Sequence, residues 1–566
     1  MIAALRLVVM LPLIGLVLAS CGQKQGPSLV PETAAAEGSA RTAESKGLVG
    51  PGASKGEQLK VEDVGPPGAT LLFLSALKGY TEPCGCTLDL VLGGIDRIAG
   101  FATTLEAQTK STAVVAAGDF LFERETLDEA GREQELRKAD LLMEAATVMG
   151  LRATALGSRD LAAGVDFFLG KMRSAKVEVL AANVTLASGA PVGPPYLVLT
   201  VGAERIALIG VTPPGSVEAV TGIKAGPVKA GIEASLAALK RLPAAEAPTA
   251  VAVLFSGDIV AARQQLDGLA GVDFVIIGKD PRETDETEKL GSAVTLEAYD
   301  QGRHLGRLKL GGSGSGPWKN ARVGSEAERK RLDQIIATTE GQLASLPKPV
   351  AGQDEPPIVK ALRGKLDGYV AERKKLSAAA PVFVATARNY LFEPVAMKPG
   401  YPVAPRVSEE MVRYNEALKA INLAKVEEIA PVAEGSASYV GVAECQKCHT
   451  EEHAFWKTTQ HGHAIDTLRE RNKEFDRNCI GCHVTGYREP GGSVLGNLRG
   501  LENVQCEQCH GPGSNHIKNP SLVNVPGGVH REVTEQSCLT CHVPEHSPKF
   551  NFESYLPRVL GPGHGG

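Results

Sequence analysis

The sequence predicts a multidomain protein, with a layered α/β domain first, a helical spacer next and a mostly helical domain at the C-terminus. Short apolar runs alternate with longer amphipathic stretches between residues 68 and 312, as in proteins that cover a buried sheet with helices. Beyond residue 438 large apolar side chains are few, and the pattern Cys-x-x-Cys-His occurs four times. The first region can build a core from its own side chains, whereas the last needs another source of buried apolar surface.

The N-terminus has the features of an export signal. Arg6 precedes an apolar run over 7–17 that is too short for a membrane span, and small residues follow it. Leu18-Ala19-Ser20-Cys21 resembles a bacterial lipobox, so we expect a lipoprotein-type signal peptide over 1–20 and lipidation of Cys21. An ordinary cleaved signal or an uncleaved anchor is the alternative. Residues 21–67 are rich in Gly, Ala, Ser, Glu and Pro, which predicts a flexible tether.

The α/β domain is predicted over 68–312. Helical periodicity occurs between several of the apolar runs, for example at 139–149 and 260–269. A Gly/Ser-rich stretch at 311–316 ends the domain. The candidate strands lie at 71–74, 113–117, 153–156, 177–181, 206–211, 251–255, 274–277 and 294–298.

A helical spacer is expected over 313–437. Two helical patterns are separated by Leu346-Pro347-Lys348-Pro349, which predicts a helical hairpin; two independent surface helices on the α/β body are the alternative. A strand over 381–392 and a helix that begins near Ser408 should follow.

The four Cys-x-x-Cys-His motifs have the spacing of c-type haem attachment sites. In such a motif two thiols bond the haem vinyl groups, and the adjacent histidine reaches the iron. Paired zinc ribbons would use the cysteines but would not require a histidine after each second cysteine. We therefore expect four covalently bound haem c groups with His449, His483, His510 and His542 as proximal iron ligands. The attachment cysteines are Cys445 and Cys448, Cys479 and Cys482, Cys506 and Cys509, and Cys538 and Cys541.

Histidine is also the expected second iron ligand. Eleven of the twelve histidines lie beyond residue 440, while the seven methionines lie at or before Met411. Bis-histidine ligation is therefore expected, with lower potentials than methionine ligation would give. His453 is four residues from His449 and should serve another haem or none. The preferred distal candidates are His461 or His463, His516 and His546, ahead of His530 and His564.

The C-terminal domain over 438–566 resembles the cytochrome c-554 family of tetrahaem proteins. This resemblance implies a mostly helical multihaem cytochrome c domain that carries electrons through four closely spaced haems. Members of that family can leave one iron five-coordinate. The matching features are Tyr439-Val440-Gly441, Trp456 with His461 and His463, Cys482-His483-Val484-Thr485-Gly486-Tyr487, and Cys509-His510-Gly511-Pro512-Gly513 with His516.

The α/β domain resembles the metal-dependent phosphoesterase domain of secreted 5'-nucleotidases. The similar strings are Gly93-Gly94-Ile95-Asp96-Arg97, Ala117-Gly118-Asp119, Leu180-Ala181-Ala182-Asn183 and Gly302-Arg303-His304-Leu305-Gly306-Arg307. The resemblance implies a metallophosphoesterase-like fold, but the family's two-metal chemistry requires Asp and His ligands. Asp119 alone survives among those positions, and His304 falls in a strand without a ligand role. The replaced positions read Ala76-Leu77-Lys78, Gly157-Ser158-Arg159-Asp160, Ser256-Gly257 and Gly278-Lys279-Asp280-Pro281. The domain is thus expected to be inactive as a hydrolase.

Two features of this domain leave alternatives open. One feature is a set of three cations, Lys78, Arg159 and Lys279, which could bind an anion together. Alternatively, they could pair with Asp119, Asp160 and Asp280 in an active site that has lost its activity. Cys84 and Cys86 could form a strained disulfide, act as a redox pair or bind a thiophilic metal.

The leading functional hypothesis is an exported, lipid-anchored multihaem cytochrome that transfers electrons, with the α/β domain as scaffold or docking module. The alternatives are a haem-based oxidoreductase acting on a small oxyanion at an open iron, and a phosphoesterase with an appended cytochrome. The expected partners are redox proteins and, through the lipid anchor, a membrane. A net charge of −5 gives no electrostatic case for nucleic acid. The expected location is the periplasmic side of a bacterial cell envelope, at the outer membrane.

Overall fold

The computed structural model describes residues 58–84, 91–217, 220, 222–279, 287–322, 326–346, 356–377, 385–424, 427–543, 546–547 and 550–561. These residues belong to one compact unit, Gly50–Gly566. Several sequence predictions lie outside them: the signal peptide, the lipidation site Cys21, Cys86, Asp280 and His564.

Two large sheets form the α/β body. The first has seven strands in the order β16-β17-β15-β1-β4-β5-β6, and the second has six in the order β13-β14-β12-β11-β9-β8. Two short ribbons pair β2 with β3 and β7 with β10. The strands are β1 (Gly68–Leu74), β2 (Pro83–Cys84), β3 (Leu92–Gly93), β4 (Thr112–Ala116), β5 (Leu151–Ala155), β6 (Glu178–Leu180), β7 (Val184–Leu186), β8 (Tyr196–Val201), β9 (Glu204–Val211), β10 (Ile223–Ala225), β11 (Ala250–Phe255), β12 (Phe274–Ile277), β13 (Lys289–Leu290), β14 (Ala293–Glu297), β15 (His304–Gly311), β16 (Lys319–Asn320) and β17 (Asn389–Ala396).

Helices cover the outer faces of both sheets. Larger helices belong to the body and its hairpin, and short ones to the C-terminal domain. They are α1 (Ile95–Thr109), α2 (Arg132–Met149), α3 (Val165–Ser174), α4 (Val228–Leu239), α5 (Ile259–Gln265), α6 (Glu326–Ser345), α7 (Pro357–Ser377), α8 (Pro405–Ala424), α9 (Val442–Cys445), α10 (Thr450–Trp456), α11 (Ala464–Arg469), α12 (Arg477–Ile480), α13 (Cys506–His510), α14 (Ser514–Lys518), α15 (Glu535–Leu539) and α16 (Phe552–Tyr555).

The two sheets pack face to face, because their strands are apolar on both sides. Leu71 and Phe73 of β1 lie in one buried cluster with Leu254 and Phe274 of the second sheet. A second cluster joins the opposite face of the first sheet to α1, α2 and α3, and a third joins the second sheet to α4 and α5. The body is thus a four-layer sandwich of helices, sheet, sheet and helices, which confirms the predicted layered α/β class.

All eight predicted strands are present, displaced by at most a few residues at their ends. Each is a short apolar run buried on both faces, and such runs carry the sequence signal of a central strand. Strand β8 was not predicted, nor were the short strands β2, β3, β7, β10, β13 and β16. Strand β8 pairs antiparallel with β9 at the edge of the second sheet, where its exposure alternates and its apolar signal is weaker.

The expected tether ends earlier than residue 67. The Leu59 amide donates to the Gly400 carbonyl at 2.9 Å, and Val61 is buried in the body. Asp63 forms an ion pair with Lys309 of β15. Residues 59–63 are therefore part of the folded body, since their backbone and apolar side chains find partners on it.

The expected spacer over 313–437 is not a separate element. Helices α6 and α7 pack against each other as the predicted hairpin. Strand β17, however, pairs antiparallel with β15 over eight residues, and α8 packs on α1 and α2. The body's first sheet is completed by residues beyond the predicted boundary at 312, because β17 covers an edge that β15 would otherwise expose.

The C-terminal domain consists of short helices joined by turns. Its buried apolar cluster is small and contains Ile465, Leu468, Ile480, Val484 and Leu495. So small a core suits a domain whose cofactors supply much of the buried apolar surface. None of the helices among the described residues is long and apolar enough to cross a membrane.

Candidate functional site

Each Cys-x-x-Cys-His motif forms about one helical turn. In the first, the amides of Cys448 and His449 both donate to the Cys445 carbonyl, at 3.2 and 3.0 Å. The fourth motif repeats this arrangement, with the His542 amide 2.9 Å from the Cys538 carbonyl. The third motif is itself helix α13. A turn of this kind brings residues three and four apart to one side, so the sequence spacing alone gathers both thiols and the imidazole.

An oxygen contacts Nδ1 in three of the four motif imidazoles and lies farther from it in the fourth. His510 Nδ1 lies 2.6 Å from the His530 carbonyl, and His542 Nδ1 lies 3.0 Å from Ser547 Oγ. His483 Nδ1 contacts the Ala464 carbonyl, and His449 Nδ1 is 3.9 Å from a carboxylate oxygen of Glu452. A carbonyl oxygen can only accept, so it holds the proton on Nδ1 of His483 and His510 and leaves Nε2 as the metal-ligating nitrogen. The donor sets therefore fit haem iron.

Side chains from different motifs also meet. The Cys445 and Cys506 thiols hydrogen-bond to each other, which raises the pKa of Cys445. A hydrogen bond from Cys482 lowers the pKa of Cys541 to about 7. Burial, followed by the charges of Cys538 and Cys541, raises the pKa of Cys509 to about 11. The first motif thus adjoins the third, the second adjoins the fourth, and the third adjoins the fourth.

Two further histidine rings lie near imidazoles of the motifs. The ring of His516 is 6.4 Å from that of His449, and the ring of His461 is 6.2 Å from that of His542. Two imidazoles that ligate one metal from opposite sides, each at about 2 Å, have ring centroids about 6 Å apart. Burial and the charge of His542 lower the pKa of His461, which favours the neutral form that ligates metals. Both pairs therefore have the separation that an iron between them requires.

The other predicted distal candidates are placed differently. His463 uses both ring nitrogens, since Nε2 lies 2.8 Å from the Lys457 carbonyl and Nδ1 lies 3.3 Å from Asp466. The ring of His546 lies 6.0 Å from the Tyr80 ring of the α/β body. Burial, and to a smaller extent the charge of His546, lower the pKa of His483. His453 is buried with its ring 5.7 Å from Trp456, one helical turn after His449.

A buried carboxylate joins the first and third motifs. Glu507 lies between the cysteines of the third motif and is 3% exposed. It accepts the backbone amides of Val440 at 3.0 Å, Gly441 at 2.7 Å and Gly513 at 2.7 Å. These amides flank the first motif on one side and follow the third on the other. Glu507 therefore fixes the two motifs relative to each other.

The haem-motif domain is joined to the α/β body by a buried polar network. Gln134 of α2 donates to Asp476 at 2.7 Å and accepts from Asn422 of α8 at 2.9 Å. Lys473 is also buried, with Glu82 at 3.0 Å and Asp476 at 3.4 Å. Because each of these groups has partners, the segment before Cys479 has a defined position on the body.

The pocket around Asp119, where the sequence resembles a phosphoesterase site, is closed by ion pairs. Asp119 is fully buried, and its Oδ2 contacts Arg159 Nη1 at 2.9 Å and Lys279 Nζ at 3.0 Å. Gly157 is required beside it, because a Cβ there would lie 2.2 Å from the Asp119 amide nitrogen. Arg159 and Lys279 thus form ion pairs with Asp119, as the alternative of an inactive site with paired charges predicts. Lys78 pairs with a different carboxylate, Asp300, at 2.5 Å.

Asp160 differs from that prediction. It accepts the amides of Phe120, Leu121 and Gly157 at 2.7, 2.9 and 3.1 Å, and its recorded partners include none of the predicted cations. Burial and the neighbouring Asp119 charge raise its pKa to about 7. No group of three or more His, Cys, Asp or Glu residues suited to a metal occurs in the described ranges. His304 lies in β15, where burial lowers its pKa to about 3.

Comparison with known proteins distinguishes the two parts of the chain. Residues 444–511 match the family of cytochrome c554 and c-prime. Cytochrome c-554 of Nitrosomonas europaea is 33% identical over 95 residues, which are 14% of this chain and 40% of that protein. This chain therefore spans less than half the length of the curated relative. The match indicates covalently bound haem c in this part of the chain.

Solved structures similar to the chain include three with phosphoesterase-type names. The 5'-nucleotidase precursor of Thermus thermophilus is 17% identical, covers 65% of this chain and 64% of its own, and has a TM-score of 0.43. The NAD nucleotidase of Haemophilus influenzae is 16% identical, with coverages of 66% and 64% and a TM-score of 0.42. The phosphoesterase YfkN of Bacillus subtilis is 12% identical, with coverages of 62% and 98% and a TM-score of 0.39. Both resemblances inferred from the sequence recur in these comparisons.

Sequence reasoning missed Glu507, Gln134 and Asp476. The sequence could have drawn attention to Glu507, because it is the one acidic residue that lies between the two cysteines of any of the four motifs. Gln134 and Asp476 had no such signal, since they lie 342 residues apart and look like ordinary surface residues of amphipathic segments.

Proposed function

We propose that the protein is an exported, lipid-anchored multihaem c-type cytochrome that transfers electrons between redox proteins. The observation that carries the proposal is the set of four Cys-x-x-Cys-His turns, in three of which an oxygen contacts Nδ1 of the histidine. Four covalent haems are proposed, one on each motif. Haem iron, when bound, exchanges one electron between its ferric and ferrous states.

The residues proposed to hold each haem follow from the contacts. His449, His483, His510 and His542 are the proposed proximal ligands. His516 is the proposed distal ligand opposite His449, and His461 the one opposite His542, supported by their ring separations of 6.4 and 6.2 Å. His463 is set aside, because both of its nitrogens are used by other groups. His546 stays a distal candidate on the sequence alone, with no iron assigned to it.

The remaining residues position the motifs for electron transfer. Glu507 ties the first motif to the third through the amides of Gly441 and Gly513. Electron transfer between haems requires close and constant spacing, so residues that fix one motif against another serve it directly. The α/β body acts as scaffold or docking module in this proposal, since Gln134 and Glu82 hold the segment before the second motif.

The proposed location is the periplasmic side of a bacterial envelope, with the protein held to the outer membrane through Cys21. Haem attachment outside the cytoplasm and the lipobox-like Leu18-Ala19-Ser20-Cys21 support it. Cys21→Ser should release the protein from membranes without changing its haem content. A variant that stays fully membrane-bound would contradict the anchor but leave the haem proposal intact.

The decisive experiment is mass spectrometry of the intact protein, combined with a spectroscopic redox titration. We expect four haem additions, and three after Cys538→Ala with Cys541→Ala. The matched control is Ser537→Ala, which changes a neighbouring side chain but should leave four. Fewer than four haems in the unaltered protein, or an iron spectrum that does not respond reversibly to potential, would overturn the proposal.

A further inference from the structure

A cavity lies where the α/β body meets the segment after the fourth haem motif. Its volume is about 140 Å³, and it is lined by Lys78, Tyr80, Glu123, Arg124, Arg159, Gln301, Val543 and His546. The first six residues belong to the body, and the last two come one and four positions after His542. The cavity therefore joins the pocket around Asp119 to the haem domain.

The cavity wall carries more positive than negative side chains. Lys78, Arg124 and Arg159 line it, against the single acid Glu123. The carboxylates that pair with these cations lie behind the wall: Asp119 is fully buried and Asp300 is 8% exposed. The Glu123 carboxylate also interacts with a further cation, because its charge helps to raise the pKa of the buried Lys138, which does not line the cavity. An occupant of the cavity would thus meet cations first.

These cations retain hydrogen-bond donors. Arg159 uses Nε for the Glu123 carbonyl and Nη1 for Asp119, which leaves its Nη2 hydrogens. Lys78 has three ammonium hydrogens, and within the described residues it donates a hydrogen bond to one side chain, that of Asp300. Arg124 is exposed at the cavity. Guanidinium and ammonium groups together are the donors that proteins use for oxyanions.

We propose that this interdomain cavity binds a small inorganic oxyanion. The volume corresponds to roughly four or five water molecules, which suits a tetrahedral or trigonal ion and excludes a nucleotide. The ion would take hydrogen bonds from Lys78, Arg124 and Arg159. Because Val543 and His546 form part of the wall, its charge would act on the haem held by the fourth motif and lower that potential. This site is separate from the proposed electron-transfer function.

The test is calorimetric titration of the haem-loaded protein with sodium sulfate, at ionic strength held constant with sodium chloride. We expect one saturable site. Lys78→Gln combined with Arg124→Gln should weaken sulfate binding by about tenfold or more. Arg241→Gln, at an exposed cation outside the cavity lining, is the matched control and should leave the affinity unchanged. Sulfate should also lower the midpoint potential of one haem in the parent protein and not in the double variant.

The outcomes separate clearly. If the double variant fails to fold, Arg124→Gln alone decides, because Arg124 is exposed and should tolerate the change. Absence of saturable binding, or equal affinity in the parent and the cavity variants, would overturn the proposal. Saturable binding of acetate without binding of sulfate would reassign the cavity to carboxylates and would also overturn it. The calorimetry does not depend on electron transfer, so failure here leaves the proposed cytochrome function untouched.

Discussion

The side-chain amide of Gln134 donates a 2.7 Å hydrogen bond to the carboxylate of Asp476, which lies three residues before Cys479. This contact joins α2 of the α/β body to the second haem motif. Gln134 is 1% exposed and also accepts from Asn422 and from the Arg477 amide. The two domains therefore meet through a specific polar network, which fixes their relative position more narrowly than apolar contact would.

Removing this contact should destabilise the joint between the domains. We expect Gln134→Ala to lower the free energy of unfolding by about 1–3 kcal/mol, because buried partners are left unsatisfied. Gln108→Ala, on the exposed face of α1, is the control and should change it little. Denaturant unfolding followed by far-ultraviolet circular dichroism measures both. Equal stability of the two variants would show that the joint does not depend on Gln134.

The distal histidines can be identified by substitution. His516→Ala and His461→Ala should each convert one haem to the high-spin form and raise its potential, since an iron loses its second nitrogen ligand. His463→Ala should leave the spectrum unchanged, because its nitrogens contact Lys457 and Asp466. Absorption spectra of the oxidised proteins measure the effect. A His516→Ala spectrum that matches the parent would make His530 or His564 the better candidate.

Glu507 should influence both stability and potential. Glu507→Gln removes a buried charge that accepts three backbone amides, so we expect a loss of about 2 kcal/mol of stability. The midpoint potential of at least one haem should rise, because the lost negative charge favoured the oxidised iron. Glu553→Gln, an exposed acid in α16, controls for net charge. Potentials that shift equally in both variants would argue against a local effect of Glu507.

The α/β body should not hydrolyse phosphate esters. Asp119 is fully buried and pairs with Arg159 and Lys279, so it is not available to a metal ion, and we expect no hydrolysis with added Mn²⁺. Asp119→Ala should instead destabilise the body by about 3 kcal/mol, since two cations lose their partner. Nucleotide hydrolysis on the order of 1 to 10³ per second, abolished by Asp119→Ala, would contradict this prediction.

Asp160 should make the stability of the body depend on pH. Its folded pKa is raised to about 7, whereas an unfolded aspartate titrates near about 3.9. Below about pH 4 both states hold the proton; as pH rises toward 7 the unfolded state ionises first, and the folded state loses relative stability. Asp160→Asn should therefore flatten the decline of the unfolding midpoint over this range, while Asp166→Asn, which is exposed, should not. Identical pH profiles for the parent and Asp160→Asn would refute the assignment.

The sequence alone determined the features that depend on short spacing. One helical turn suffices to gather Cys445, Cys448 and His449, so the haem motifs could be read directly. Buried strands such as β1 and β11 are continuous apolar runs, which predicted the layered body. The cations Lys78, Arg159 and Lys279, which are unsuited to hold a metal, were likewise visible in the residues themselves.

Tertiary structure decided what depends on residues far apart in the chain. It brought the ring of His516 to 6.4 Å from that of His449 and the ring of His461 to 6.2 Å from that of His542. It also added β17 and α8 to the body and gave Asp160 backbone amides as partners in place of a cation. It also set Gln134 against Asp476 across 342 residues. Periodicity shows which face of an element is buried but not which element covers it, because that choice rests on packing and hydrogen bonds among distant segments.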